Sequence, residues 1–335
     1  MERKLSRRKF VKITAAAATA TTFVPYLGCA PLLLNSKGLP TRPLGKTGVE
    51  VPLIGLGLGS RFMFVKEEDK ALEMLEYAVD HGLFYWDTAA IYENENKNNR
   101  IFCEERIGRI LPARRKEVFL ATKVIEREAE EVKKTIETSL KRLNTDYIDL
   151  YQVHSINSVE DAEELGKKSG ALEVLHQYRD EKIIRHIGFT GHTTAEGMKK
   201  AAELYDFETM LISMNHQPKD QPMEEQAVPA AAENGLGVLA MKVIRPRETI
   251  TDIDPLDLIR YALSLKHISA AVVGIDNIEV LKTNIELVRN FKPLSEPAMK
   301  RMRFTLAPYY RHENLAWMQP GYLDGKMNKP YLALR

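Results

Sequence analysis

The chain has 335 residues, 44% hydrophobic and 28% charged, with a formal net charge of +2. That is an ordinary globular composition, long enough to bury a full core, and it offers no basic excess for nucleic acid to neutralise. The two cysteines, Cys29 and Cys103, are too few for a four-cysteine zinc or iron–sulfur site and imply no disulfide framework; Cys103 reads as a buried apolar thiol.

Residues 1–35 differ from the rest. Arg3, Lys4, Arg7, Arg8, Lys9 and Lys12 make a positive start, and an uncharged stretch from Ile13 to Leu27, dominated by Ala and Thr, follows. This is a signal-peptide layout, too short and too weakly apolar for a permanent membrane span. The run Ser6-Arg7-Arg8-Lys9-Phe10-Val11-Lys12 resembles the twin-arginine export motif. The resemblance implies a protein handed folded to the export machinery and placed in the periplasm or cell envelope. Gly28-Cys29-Ala30 ends the segment either as a small-residue cleavage site or as a lipid-anchor site at Cys29.

From Thr41 short apolar runs rich in β-branched residues alternate with longer charged runs of helical period. Thr41–Pro52 reads as a hairpin, with Gly45 and Gly48 as turn signals. Strands are expected near Leu53–Gly57, Leu83–Asp87, Val118–Lys123, Ile148–His154, Ile187–Thr190, Met210–Asn215, Val238–Met241 and Ala270–Val273. Between them, helices are expected over Lys70–His81, Glu130–Leu143, Thr194–Leu204, Glu225–Asn234, Leu256–Leu265 and Ile278–Arg289. Repeated strand–helix units imply a parallel sheet, and eight of them imply closure into an α/β (β/α)8 TIM barrel over residues 41–290. The pattern stops after Asn290, so residues 291–335, rich in Pro and aromatics, read as an extension packed on the barrel.

Gly55-Leu56-Gly57-Leu58-Gly59-Ser60 looks like a dinucleotide loop, but one glycine comes a place early and no helix opens on it, so it fails the Rossmann pattern. The expected role of these glycines is to keep the barrel mouth open beside the first strand.

In such a barrel, polar residues at the C-terminal strand ends form the active site. Asp87 ends the second strand, Tyr92 follows five positions later, Lys123 ends the third and His154 ends the fourth. A lone Asp there is usually a helix cap, a lone Tyr packing, and a lone His a satisfied structural residue. A Lys ending an apolar strand is harder to dismiss, because a buried ammonium is costly without a partner. Together on consecutive strands the four fit one chemistry. A tyrosine hydroxyl ionises near pH 10 and is a poor proton donor at neutral pH. A neighbouring ammonium stabilises the phenolate. Asp87 would hold Lys123 charged and oriented, and His154 would donate to a carbonyl oxygen gaining negative charge. No His/Cys/carboxylate set has metal-ligand spacing.

With these residues in place, the chain resembles the aldo-keto reductase family over roughly residues 41–290. The resemblance rests on Leu53–Gly59, Trp86–Tyr92, Ala121–Lys123, Asp146–His154 and Ile187–His192, and the Asp/Tyr/Lys/His tetrad matches at Asp87, Tyr92, Lys123 and His154. It implies hydride transfer between a nicotinamide dinucleotide, NAD(H) or NADP(H), and a small aldehyde, ketone or sugar, with Tyr92 as general acid/base. A nucleotide-binding regulatory subunit with little turnover is the competing class, and the intact tetrad argues against it.

The cofactor residues depart from the family pattern. Thr190 and Gly191 stand where a Ser-Asn pair holds the carboxamide, and Met241, followed by Lys242, replaces the aromatic that stacks on the nicotinamide. Asn215 matches an Asn after the sixth strand, and Asn284 matches an Asn on the eighth helix that contacts adenine. Gly274-Ile275-Asp276-Asn277-Ile278-Glu279-Val280 has no Lys or Arg where NADP-preferring members place basic residues. Asp276 and Glu279 are therefore expected to favour NAD modestly. Lys242, Arg245 and Arg247 read as a solvated loop, with a phosphate clamp as the alternative.

Overall fold

The computed structural model of the chain describes residues 32–94, 100–215, 222–248, 250, 252–309 and 311–319. The export expectations at Arg7, Arg8 and Cys29 lie outside the described residues, as does the tail from 320.

Eight parallel strands close into a barrel in the order of the chain: β3 Ile54–Gly57, β4 Tyr85–Asp87, β7 Phe119–Val124, β8 Ile148–Ile156, β9 Ile184–Gly191, β10 Thr209–Ser213, β11 Gly237–Met241 and β12 Ile268–Gly274. The ring closes where Ile54 pairs with Ala271 and Gly57 with Gly274. Strands buried on both faces read as continuous apolar runs, and two apolar layers result. Tyr85, Phe119, Ala121, Leu150, Leu211, Leu239, Ala270 and Val272 fill the barrel. The alternate residues, among them Ile54, Trp86, Leu120 and Tyr151, face the surrounding helices.

The expected hairpin forms from β1 Thr41–Pro43 and β2 Glu50–Pro52, paired antiparallel, and a second short antiparallel pair, β5 Glu93–Asn94 with β6 Ile101–Phe102, lies between β4 and β7. The hairpin plugs the N-terminal end, because Leu44 and Val51 join the inner cluster. Gly45 has φ +53°, and a Cβ there would lie 2.0 Å from the Gly237 nitrogen, so only glycine lets the turn approach β11. Leu32 and Leu34 pack on the same floor.

The six expected helices appear, with ends moved by at most two residues: α1 Glu68–Asp80, α3 Ala129–Arg142, α6 Ala195–Leu204, α7 Ala227–Glu233, α8 Pro255–Ser264 and α9 Ile278–Arg289. Four more, α2 Cys103–Arg114, α4 Val159–Glu164, α5 Ala171–Asp180 and α10 Glu296–Leu306, were not expected. In α2, buried Glu104 and Arg106 break the apolar stripe and Pro112 sits inside the helix. The Arg106 guanidinium is satisfied by the Phe62 and Val65 carbonyls at 2.9 and 2.6 Å and by Glu68 at 2.8 Å. Helix α10 corrects the expectation that regular structure ends at Asn290. It buries only Met299 and Leu306, too few to mark a helical period. Beyond it, Tyr309, Leu315 and Trp317 make a small cluster with Ile250. Among the described residues no helix is long and apolar enough to cross a membrane.

Candidate active site

Asp87, Lys123 and His154 all point into the barrel near its C-terminal end, because strand residues two apart share a face. Asp87 and Leu58 tie adjacent strands through a Leu58 N–H to Asp87 carbonyl bond of 2.8 Å. The loop that follows is pinned by the Thr88 N–H to the Ala121 carbonyl at 2.9 Å and by the Thr88 hydroxyl to the Leu58 carbonyl at 3.1 Å. This brings Tyr92 back over the barrel, where only 9% of it is exposed. β8 runs two residues past His154, and its register shifts between Val153 and Ile156.

The Lys123 ammonium has three acceptors for its three protons. Nζ lies 2.5 Å from Asp87 Oδ1, 2.7 Å from the Thr88 carbonyl and 3.4 Å from the Tyr92 hydroxyl. The third is at the long end for a hydrogen bond. The Tyr92 and His154 rings meet edge to face, their centroids 5.9 Å apart. Asp87, Lys123 and His154 are each at most 4% exposed, so the ion pair sits where desolvation is costly and hydrogen bonds must offset it. One of those was not anticipated: Gln152, fully buried on β8, donates from Nε2 to Asp87 Oδ2 at 2.8 Å. Its only signal in the sequence is a polar residue two places before His154 in an apolar strand.

Burial, and then the Asp87 charge, push the Tyr85 hydroxyl well above the ordinary tyrosine range. Tyr85 therefore stays protonated, and Tyr92 is the tyrosine beside the ammonium. Burial pushes the Cys103 thiol up to about 12, which keeps it neutral, and raises Glu104 above the usual carboxylate range.

A cleft of about 740 Å³, open solvent at its mouth included, runs from Asp87 and Tyr92 along β3, β11 and β12. Its walls include Met241, Lys242, Arg245, Arg61 and Gly274. Of the anticipated cofactor residues, Met241 and Lys242 line this cleft and the others do not. The Thr190 hydroxyl accepts from the Ser155 N–H at 3.0 Å. Gly191 leaves room for Met198, whose sulfur would lie 2.2 Å from a Cβ. The Asn215 amide donates to the Val243 and Leu258 carbonyls at 2.6 and 2.8 Å, bracing the loops after β10 and β11. Asn284 is 3% exposed on α9, and its amide nitrogen has no hydrogen-bond partner among the described residues.

Two expectations need correction. Arg245 is only 8% exposed and lines the cleft, so it is not part of a solvated loop; the side chain of Arg247 is outside the described residues. Of Gly55, Gly57 and Gly59, only the last two lie along the cleft. A Cβ on Gly55 would meet the Tyr85 ring at 2.4 Å, so Gly55 serves the deep core instead. Arg61 was missed altogether. Its guanidinium pairs with Asp276 at 2.5 Å, which places a cation at the start of α9 that the local sequence lacks.

These residues fit a nicotinamide dinucleotide. Gly57, Gly59 and Gly274 line the cleft where backbone can approach a ligand closely, and Arg61, Lys242 and Arg245 supply three cations along its walls for a pyrophosphate. Among the described residues no cluster of three His, Cys, Asp or Glu side chains is placed to hold a metal.

The chain is similar to known proteins over most of the barrel. An uncharacterized oxidoreductase of Bacillus subtilis, YqkF, is 26% identical over 308 residues, covering 78% of this chain and 95% of its own length. The aldo-keto reductase yakc [NADP(+)] of Schizosaccharomyces pombe is 33% identical over 183 residues, 50% of this chain and 49% of that protein. The holo form of an aldo-keto reductase from Bacillus halodurans superposes with a TM-score of 0.65 at 21% identity, covering 80% of this chain and 96% of that one, a likeness of fold. The profile of the aldo/keto reductase family matches residues 54–245. With more than half its length matched and the barrel closed as that family requires, the chain belongs to the aldo/keto reductase family and is an oxidoreductase acting on carbonyl and alcohol groups.

Proposed function

We propose that the chain interconverts an aldehyde, ketone or sugar carbonyl and its alcohol, with Tyr92 as the general acid/base. The observation that carries this reading is the Lys123 ammonium, held by Asp87 and Thr88 with the Tyr92 hydroxyl 3.4 Å away. In reduction the Tyr92 hydroxyl gives its proton to the substrate oxygen, and the ammonium stabilises the phenolate left behind. Asp87 keeps Lys123 in place. His154 donates a hydrogen bond to the same oxygen as negative charge develops on it. In oxidation the phenolate takes the alcohol proton. A bound nicotinamide supplies or accepts the hydride. Tyr92→Phe should abolish turnover and leave cofactor affinity unchanged; near-wild-type turnover would sink the assignment.

Met241 and Lys242 are the residues proposed to flank the nicotinamide end, with Thr190, Gly191 and Asn215 shaping the strand ends beside it and Asn284 meeting the adenine. A modest preference for NAD follows from the absence of a cation in residues 274–280 and from Asp276 and Glu279. Arg61 and Arg245 favour the second reading, NADP, because both line the cleft and the Asp276 charge is already met by Arg61. The name of the fission-yeast relative carries NADP(+) as well. Dissociation constants for both nucleotides at one salt concentration decide the matter. A tenfold preference for NADP, about 1.4 kcal/mol, that disappears in Arg61→Ala would overturn the NAD reading.

We also propose export by the twin-arginine route to the periplasm or envelope, on the strength of Arg7-Arg8 and the uncharged run from Ile13 to Leu27. Arg7→Lys with Arg8→Lys should hold the protein in the cytoplasm. If Cys29 carries a lipid anchor, Cys29→Ala releases the protein from the membrane fraction; intact wild-type chain in the cytosol refutes export.

A further inference from the structure

We infer that Gln152 is a positioning residue for proton transfer at Tyr92, acting through Asp87. The inference rests on the reading of Tyr92 as general acid/base. Gln152 lies on β8, beside Lys123 in the register and two residues before His154, so it faces the barrel interior with no exposure to solvent. Its Nε2 is 2.8 Å from Asp87 Oδ2, a residue 65 positions away in the chain. The orientation of the amide follows from chemistry, since an ionised carboxylate can only accept. The other end of the amide, Oε1, is buried and has no donor among the described residues.

A buried amide with half its hydrogen-bonding capacity unused is a poor choice for filling a barrel. Leu150, the inward residue two places earlier on the same strand, fills its position without that cost. What the amide does in return is divide the Asp87 carboxylate. With Oδ2 engaged by Gln152, only Oδ1 is left for Lys123. The ammonium then sends one proton to Oδ1, one to the Thr88 carbonyl and the third toward Tyr92. Without Gln152 both carboxylate oxygens compete for the ammonium. Oδ2 would be left desolvated unless the carboxylate turns both oxygens toward Nζ, and that rotation draws the ammonium from the phenol.

The test uses two isosteric variants. Gln152→Met keeps the length and loses the donor. Gln152→Glu presents a second carboxylate to Asp87 at neutral pH and regains an O–H donor when protonated. With para-nitrobenzaldehyde as probe, both should lower kcat on the order of 10- to 100-fold, the range for losing a hydrogen bond to a charged group. KM and cofactor affinity should change by less than about twofold. Gln152→Glu should recover relative to wild type as the pH falls, and Gln152→Met should not. A readout without substrate is the ultraviolet difference titration of tyrosinate, each background compared with its own Tyr92→Phe variant. Tyr92 should ionise at higher pH in Gln152→Met than in wild type. A Gln152→Met protein with wild-type kcat and an unmoved titration overturns the inference. So do losses in both variants that simply follow their melting temperatures with no recovery in acid. If Tyr92→Phe itself keeps turnover, the general-acid reading has failed; if it is silent while Gln152→Met is normal, only the role of Gln152 has.

Discussion

Replacing Lys123 by Met removes the one cation that touches both Asp87 and Tyr92 in the described structure. At 3.4 Å and an effective dielectric constant of about 20, an ammonium and a full phenolate charge interact by about 5 kcal/mol. If the proton is half transferred at the transition state, about 2.5 kcal/mol of that is lost, or roughly 70-fold in kcat. The loss should appear in kcat and kcat/KM together, because the interaction grows only as the phenolate forms. In the reduction direction the alkaline limb of the pH profile should move to higher pH, since the phenol holds its proton more tightly without the cation. Among the described residues the substitution also leaves the Asp87 carboxylate with a single donor, Gln152, and breaking a buried pair costs about 3–5 kcal/mol of stability. Thermal melting must accompany the kinetics, and the double variant Asp87→Asn with Lys123→Met should regain stability without regaining activity. A Lys123→Met enzyme that is folded and turns over within about threefold of wild type, with the same pH profile, would refute the electrostatic argument.

Gly59→Ala would set a Cβ 2.8 Å from the Tyr92 ring, so the ring must shift; kcat should fall about tenfold with little change in melting temperature, read by steady-state kinetics and calorimetry. Asn215→Ala removes two buried hydrogen bonds at a position with φ +65°, and urea unfolding should report a loss of about 2–4 kcal/mol. Cys103 ionises near 12 in the fold and near 9 when unfolded. Its contribution to stability is complete below pH 9 and is lost between 9 and 12, by at most about 1.4 kcal/mol per pH unit. In a Cys29→Ala background a thiol reagent at pH 8 should leave the native protein unlabelled and label it fully in denaturant; rapid labelling of the native state would contradict the burial.

The eight strands, the hairpin and six of the helices were legible in the sequence because their signals are local. A strand buried on both faces is an apolar run, and an amphipathic helix repeats every three or four residues. The tetrad was legible for a related reason. In a parallel barrel the C-terminal end of every strand meets at one mouth, so Asp87, Lys123 and His154 could be brought together from strand order alone. What the sequence could not disclose was which polar side chains are buried. Glu104 and Arg106 hid α2 because a charged residue satisfied in the interior is written with the same letter as one in water. Gln152 was passed over for the same reason. Arg61 and Asp276 stand 215 residues apart and meet only because β3 closes the ring against β12. Their pairing alters the charge at the start of α9, where the local sequence alone shows only acid. Strand and helix are decided by neighbours along the chain, whereas partnership between buried polar groups is decided by closure of the barrel.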